Sequence, residues 1–309
     1  MKRLLAAIAL CAASFPLHAR QTAPADVTKP LPPLRDLILD LEKNEKNIEA
    51  KQKDYTYHLH LEQQEFDGKG NPKKTTTTDS ESLTIDGVRV DRIVARNGKP
   101  LTPDEAQKES DKIDKEVAKA KARREKREDK GEATDSRGDQ LLTASRILEL
   151  GAFSNPRRVL LDGRPTILAD YAGDPAAKTH NSFEVAFRDL VGTVWIDEQD
   201  RVLVHVKGHF LKDFKIGGGL VADIKKDSSF EGQFKRINDE VWLPSTFNGQ
   251  GKVRILLVAG FSGSVHMVAS DYRKYRATST IIGTNGVIGT DGQPATLPLT
   301  TAPATPPHR

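Results

Sequence analysis

From Arg157 to Tyr275 the chain is almost unbroken strand signal, and this constrains the fold more than any other feature. Apolar and polar residues alternate through "RRVLLDGRPTILADYAG", "GTVWID", "RVLVHVKGHF", "LVADIKK", "SFEGQFKRI", "EVWLPSTFN", "KVRILLVAGF" and "VHMVASDYRKY". Turns such as "EQD", "IND" and "NGQG" link several of them. Parallel neighbours need crossovers of a dozen or more residues, so connections this short make the sheet antiparallel.

The first half supplies the helices. Leu34, Leu37, Ile38, Leu41 and Ile48 recur at three- and four-residue spacing and predict an amphipathic helix. At Tyr55 the period changes to two. Tyr55, Tyr57, Leu59 and Leu61 take one face of a strand, and Thr56, His58, His60 and Glu62 take the other. The pairs Asp86-Gly87 and Asn97-Gly98 then mark tight turns of a meander.

Thr102-Pro103-Asp104-Glu105 reads as a capping box opening a helix rich in charge, acids first and bases last. Its apolar positions, Ala106, Ile113, Val117 and Ala120, are too few for a core helix, so most of its circumference is expected to be wet. A further helix lies in "QLLTASRILELGAF". This gives an α+β fold of about 9–11 strands with three helices in the first half, in one domain over residues 34–276. Residues 103–137 form a charged helical insertion, and the Thr/Gly/Pro-rich tail 277–309 is expected to be disordered.

Lys2, Arg3 and the apolar run Leu4–Ser14 read as an export signal cleaved near Ala19, followed by a Pro-rich linker over 20–33. Cleavage removes Cys11, the one cysteine, and with it disulfides, thiolate chemistry and Cys-based zinc sites. An exported chain without cysteine suits a bacterial periplasm. The net charge of +4 is spread among acids, with no basic stripe interleaved with aromatics, so nucleic acid is not an expected partner.

Sites for chemistry are sparse. His58, His60 and Glu62 lie on one strand face, where two imidazoles can share a metal, but the simpler reading is a polar outer face. His205 and His209 lie about 13 Å apart on a strand, too far to share one, and are read as a solvated face. "GGG" at 217–219 lacks the lysine of a phosphate loop, and "GFSGS" is not a nucleophile elbow. No catalytic residue, metal or cofactor is assigned. What remains is the apolar side of the strands. Large antiparallel sheets curl, and small barrels often enclose a ligand.

The run "GTVWIDEQDRVLVHVKGHF", with Gly192, Trp195, Ile196 and Asp197, and the later "EVWLP", with Val241 to Pro244, resemble the LolA/LolB-like superfamily of lipoprotein-sorting proteins, which includes RseB-type regulators. The resemblance implies an unclosed β-barrel, a strongly curved antiparallel sheet whose concave face is covered by amphipathic helices. It implies a hydrophobic cavity for acyl chains of a lipid or lipoprotein, and no enzyme activity. In that frame Asp197 starts a turn and Trp195 packs the sheet. The expected lining is Leu37, Ile38, Leu41, Tyr55, Tyr57, Leu59, Leu61, Val194, Ile196, Val202, Val204, Val206, Ile255 and Leu257. The function implied is a carrier in outer-membrane lipid or lipoprotein trafficking. The alternatives are an RseB-like envelope sensor or scaffold with an inner- or outer-membrane protein partner and, behind it, a hydrolase or metalloenzyme.

Overall fold

The computed structural model describes residues 29–67, 69, 71–129, 134, 137, 143–180, 182–216, 222–255, 258–275, 281–283 and 286–288. Residues 1–28, with the expected export signal and most of the expected linker, lie outside these. So does most of the tail, within which Ile281–Gly283 pairs with Gly286–Ile288.

Helix α1 (Leu34–Gln52) leads into β1 (Tyr55–Phe66), β2 (Pro72–Ile85), β3 (Val88–Arg96) and the short β4 (Lys99–Pro100). Helices α2 (Pro103–Glu128) and α3 (Ala144–Leu150) follow. Then come β5 (Gly151–Leu161), β6 (Arg164–Gly173), α4 (Ser182–Arg188), β7 (Leu190–Asp197) and β8 (Val202–Phe210). The short β9 (Phe214–Ile216) and β10 (Ala222–Ile224) precede β11 (Ser229–Ile237), β12 (Val241–Ile255) and β13 (Val258–Lys274).

All thirteen strands join one antiparallel sheet in the order β4-β3-β2-β1-β13-β12-β11-β8-β7-β6-β5, with β9 and β10 attached beside β12. The path does not close, since β4 and β5 end it, so this is an open barrel rather than a ring. The chain enters the sheet near its middle at β1, and β13 returns beside it. That pairing of first and last long strands joins the two halves into one sheet.

Three details differ from the sequence reading. "RRVLLDGRPTILADYAG" is a hairpin, because Asp162 and Gly163 take φ of 50° and 77°, the left-handed pair of a tight two-residue turn. "NGQG" is not a turn: Asn248 to Lys252 stay extended inside β12, paired on one side with β13 and over Asn248 to Gln250 also with β11. Helix α4 falls in the second half, where no helix was expected.

The two faces of the sheet carry different helices. On one face α1 lies over β5, β8 and β12. Leu37 and Ile38 pack with Ala144, Ile167 and Ile196, each buried at 8% exposure or less. On the opposite face α2 presses Ile113, Val117 and Ala120 onto Val88 and Val90 of β3. Its capping box forms as the sequence predicts, with Glu105 Oε2 accepting from the Thr102 amide at 2.9 Å. Buried Glu109 accepts from the Ile93 amide at 3.3 Å, beside the register shift between β2 and β3. Helix α2 is therefore a strut on the back of the sheet, away from the α1 face.

Candidate functional site, an apolar row across the sheet

Residues directly opposite in adjacent antiparallel strands share a face. On the α1 face, register links Val194 to Val206, Val206 to Gly232, Gly232 to Phe247, Phe247 to Met267 and Met267 to Leu61. This row crosses six strands, about 24 Å at about 4.8 Å per strand. The next row on the same face runs Gly192, Gly208, Phe230, Gly249, Val265 and Gln63, so three of its six positions carry no side chain. The apolar row dips at Gly232, between Val206 and Phe247, into a shallow apolar furrow; over Gly208 and Gly249 the neighbours Leu190, Phe230, Val265 and Phe247 already stand within 3.3 Å of a Cβ position.

The crowding around these glycines differs. A Cβ on Gly192 would stand 2.3 Å from the Lys207 carbonyl oxygen, whereas one on Gly232 would meet Val206 and Phe247 at 3.5 and 3.7 Å, ordinary contact. Val194, Val206, Phe247, Met267 and Leu61 are half-buried. Ile167, Ile196 and Val204, nearer to α1, are at 1% exposure or less.

The expected lining thus divides. Leu37, Ile38, Leu41, Val194 and Ile196 come together under α1. Tyr55, Tyr57 and Leu59 join Val241, Leu243 and Ala269 in a second cluster. Val202 and Val204 are buried at 5% and 1%. Most of these residues therefore pack as core. Leu61, Val206 and Val194 stand in the half-buried row. Leu257 lies outside the described residues, as does the side chain of Ile255. Phe247 and Met267 were not singled out from sequence, although period two from Val241 and from Val265 reaches both.

A pocket of about 350 Å³ opens beside the C-terminal half of α1, between the β7–β8 and β11–β12 turns. Ile48, Val202 and Val241 give it apolar wall; Asn47, Lys51, Arg236 and Asp239 are among its polar groups. Asp200 is its hub, accepting from Trp242 Nε1 at 2.8 Å and pairing with Arg236 at 3.0 Å and Arg164 at 3.2 Å. Glu240 accepts from the Tyr55 hydroxyl and from Lys274, both at 2.5 Å, and those bonds hold its carboxyl below the usual range, the lysine first. Burial pushes the Tyr55 hydroxyl up, with the bond to Glu240 adding to it. Asp197, 1% exposed, starts the β7–β8 turn as implied. It accepts from the Gln199 and Asp200 amides at 3.0 and 2.7 Å and pairs with Arg164 at 2.5 Å.

On the face away from α1 one sequence reading needs correcting. His205 does not face water. It is 9% exposed and stacked on Trp195 with ring centroids 4.0 Å apart, and its Nε2 lies 2.8 Å from Glu231. The cross-strand pair Trp195–His205 covers the imidazole, which alternation alone does not reveal. His209 is exposed as expected. His58 and His60 share that outer face and point to Asp79, at 3.7 and 2.7 Å. Among the described residues no group of three or more His, Cys, Asp or Glu side chains is arranged to hold a metal. A second depression on this face, about 390 Å³, is lined by polar groups including Lys207, Glu231, Asn248 and His266.

The class defined by this geometry is an open antiparallel sheet with one amphipathic helix on its apolar face and a strut on its back. No family model and no curated protein matches the chain. Among solved structures it is similar to a LolA superfamily protein from Nitrosomonas europaea, at 9% identity and a TM-score of 0.32, covering 79% of this chain and 94% of that one. A DUF1329 family protein from Desulfovibrio piger is similar at 10% identity and 0.29, with the same coverage. The complex of MucA and MucB from Pseudomonas aeruginosa gives 8% and 0.21, over 77% of this chain and 100% of that one.

Proposed function

We propose that this is an exported periplasmic protein that binds acyl chains of a lipid or lipoprotein along the apolar row of its sheet, as a carrier in outer-membrane lipid or lipoprotein trafficking. The observation that carries the reading is the row itself, half-buried and aligned over six strands beside glycines. Its length of about 24 Å exceeds the roughly 15 Å that one acyl chain spans as half of a bilayer's hydrocarbon core. An acyl chain of about 14 methylenes gains roughly 11 kcal/mol of gross burial at about 0.8 per methylene. Ordering and association consume much of that. The surplus holds a chain in transit and still releases it to a better apolar site. Residues Leu34 to Leu41 of α1 are the cover, and the row beyond them is the seat.

The test is to purify the protein from periplasm, denature it and analyse the extract by mass spectrometry, then titrate the refolded protein with a fluorescent fatty acid. Stoichiometric lipid with saturable uptake supports the carrier. An empty protein that takes up no fatty acid sinks it, and favours the envelope sensor or scaffold, for which the exposed charged face of α2 would be the docking surface.

A further inference from the structure

We propose that the apolar row has a charged end at the β3–β4 hairpin, where Arg96 and Lys99 seat the oxyanion head of a single-chain lipid whose tail runs over Thr78, Leu61, Met267 and Phe247. The tail rests on the acyl-chain reading above; the head rests on the hairpin alone.

The row does not stop at Leu61. Register carries it on to Thr78 of β2, Arg96 of β3 and Lys99 of β4, all on the α1 face. Arg96 and Lys99 flank Asn97-Gly98, whose φ values of 49° and 72° make a tight two-residue turn. Two cations directly opposite on neighbouring strands repel each other. Both are exposed, and among the described residues neither side chain has a hydrogen bond or an ion pair. Glu105 feels the field of Arg96, but its carboxyl is already held by the Thr102 amide at 2.9 Å and the Thr102 hydroxyl at 2.8 Å. An oxyanion between the two cations removes their repulsion. The guanidinium fork also matches a carboxylate or a phosphate with two parallel N–H groups. Thr78 adds a hydroxyl where head meets tail.

Width, length and polarity of the row select the occupant. At Leu61 and Thr78 it is one side chain wide, flanked by Gln63 and Thr76 on one side and by buried Ser80 on the other. Such a track takes one chain rather than two. From Arg96 to Phe247 it crosses four strand spacings, about 19 Å at about 4.8 Å each. An acyl chain spans roughly 15 Å, and the arginine side chain covers the rest. A tail so placed ends at the dip over Gly232, short of the packed residues under α1. The other end of the row offers no head site, since Val194 is followed there by Ala169 at 0% exposure.

Met267 is the only methionine besides Met1, so a carbon-13 methyl label on the full chain reports from the row. The probes are dodecanoate, dodecyl phosphate and 1-dodecanol, equal in tail and different in head, each kept below its micelle concentration. Saturable movement of the Met267 signal is expected with all three. At least one anion should bind about tenfold more tightly than the alcohol, the worth of one charge-assisted hydrogen bond. Which anion does so tells a fatty acid from a lysophospholipid source. The preference should shrink in salt, because both cations are exposed. Arg96→Gln with Lys99→Gln should bring the anions down to the alcohol and leave the alcohol unchanged. Arg96→Glu, which can pair with Lys99 and so keep the hairpin, should push the anions below the alcohol. Equal binding of all three heads to the unaltered protein, or a preference that survives both variants, overturns the head site and leaves the acyl row. Butanoate binding as tightly as dodecanoate removes the row and leaves a surface anion site. A Met267 signal that no probe moves overturns both.

Discussion

Replacing Gly232 with valine should plug the furrow and leave the sheet standing. Gly232 is the one position in the row between Val206 and Phe247 that has no side chain. The space above it accepts a Cβ at ordinary contact distances of 3.5 and 3.7 Å. Valine suits a strand better than glycine, and restricting the unfolded chain adds to that, so stability should hold or rise by up to about 1 kcal/mol. In a domain this large that is a melting shift of about 2–4 °C. The three added carbons occupy room that an acyl chain would fill. Losing the burial of about three methylenes at about 0.8 kcal/mol each costs the ligand about 2.4 kcal/mol, close to 50-fold in Kd. Fluorescent fatty acid titration and thermal melts on one preparation read both numbers. A variant with unchanged melting and unchanged affinity would refute the furrow as the seat. Gly192→Val is the contrasting case: its Cβ would collide with the Lys207 carbonyl oxygen at 2.3 Å, so loss of folding is expected there.

Other substitutions probe the rest of the frame. Arg158, whose side chain is 4% exposed, bonds Glu198 at 2.7 and 2.8 Å and the Lys29 carbonyl at 2.6 Å. Arg158→Ala strands the carboxylate and should cost about 3 kcal/mol in denaturant unfolding at pH 7. Glu198 sits below its ordinary value because of its bonds to Arg158, so it stabilises the fold above the unfolded value and loses that as pH falls through the folded one. Acid titration of stability should therefore fall less below about pH 4.5 in Arg158→Ala than in the unaltered protein. Ile113→Ala should loosen α2 by about 3 kcal/mol, seen as faster proteolysis within 103–128, while fatty acid affinity stays unchanged because α2 lies on the other face. Thr102→Ala should cost about 1 kcal/mol through the lost cap.

Much of the fold was legible in the residues. The switch of period at Tyr55 placed α1 and β1, with Tyr55 and Tyr57 inward and His58 and His60 outward. The capping box at Thr102 gave α2 its start, and its few apolar positions left most of the helix exposed. Asp197 initiates its turn through its own carboxylate, a local effect that a motif can carry. Local chemistry misled where neighbours outvoted it. Asn248-Gly249 is a turn signal that two flanking strands hold extended, and α4 rests on tertiary contact with β6, β9 and α3 rather than on a long apolar period.

The sequence by itself determined most of the elements, the direction of their alternating side chains and the antiparallel sense, because these follow from periods of two and 3.6 and from the reach of short turns. It could not rank the inward residues. Ile196 and Val204 alternate as Val206, Leu61 and Met267 do, yet the first two are sealed in core and the others form a half-buried row. The difference lies in where α1 rests across the strands and in a register that lines glycines of different strands beside that row. His205 shows the same limit, since only the pairing of β7 with β8 brings the Trp195 indole over it. Alternation fixes a side chain's direction; what meets it there is decided by strands distant in sequence, and so by the tertiary structure.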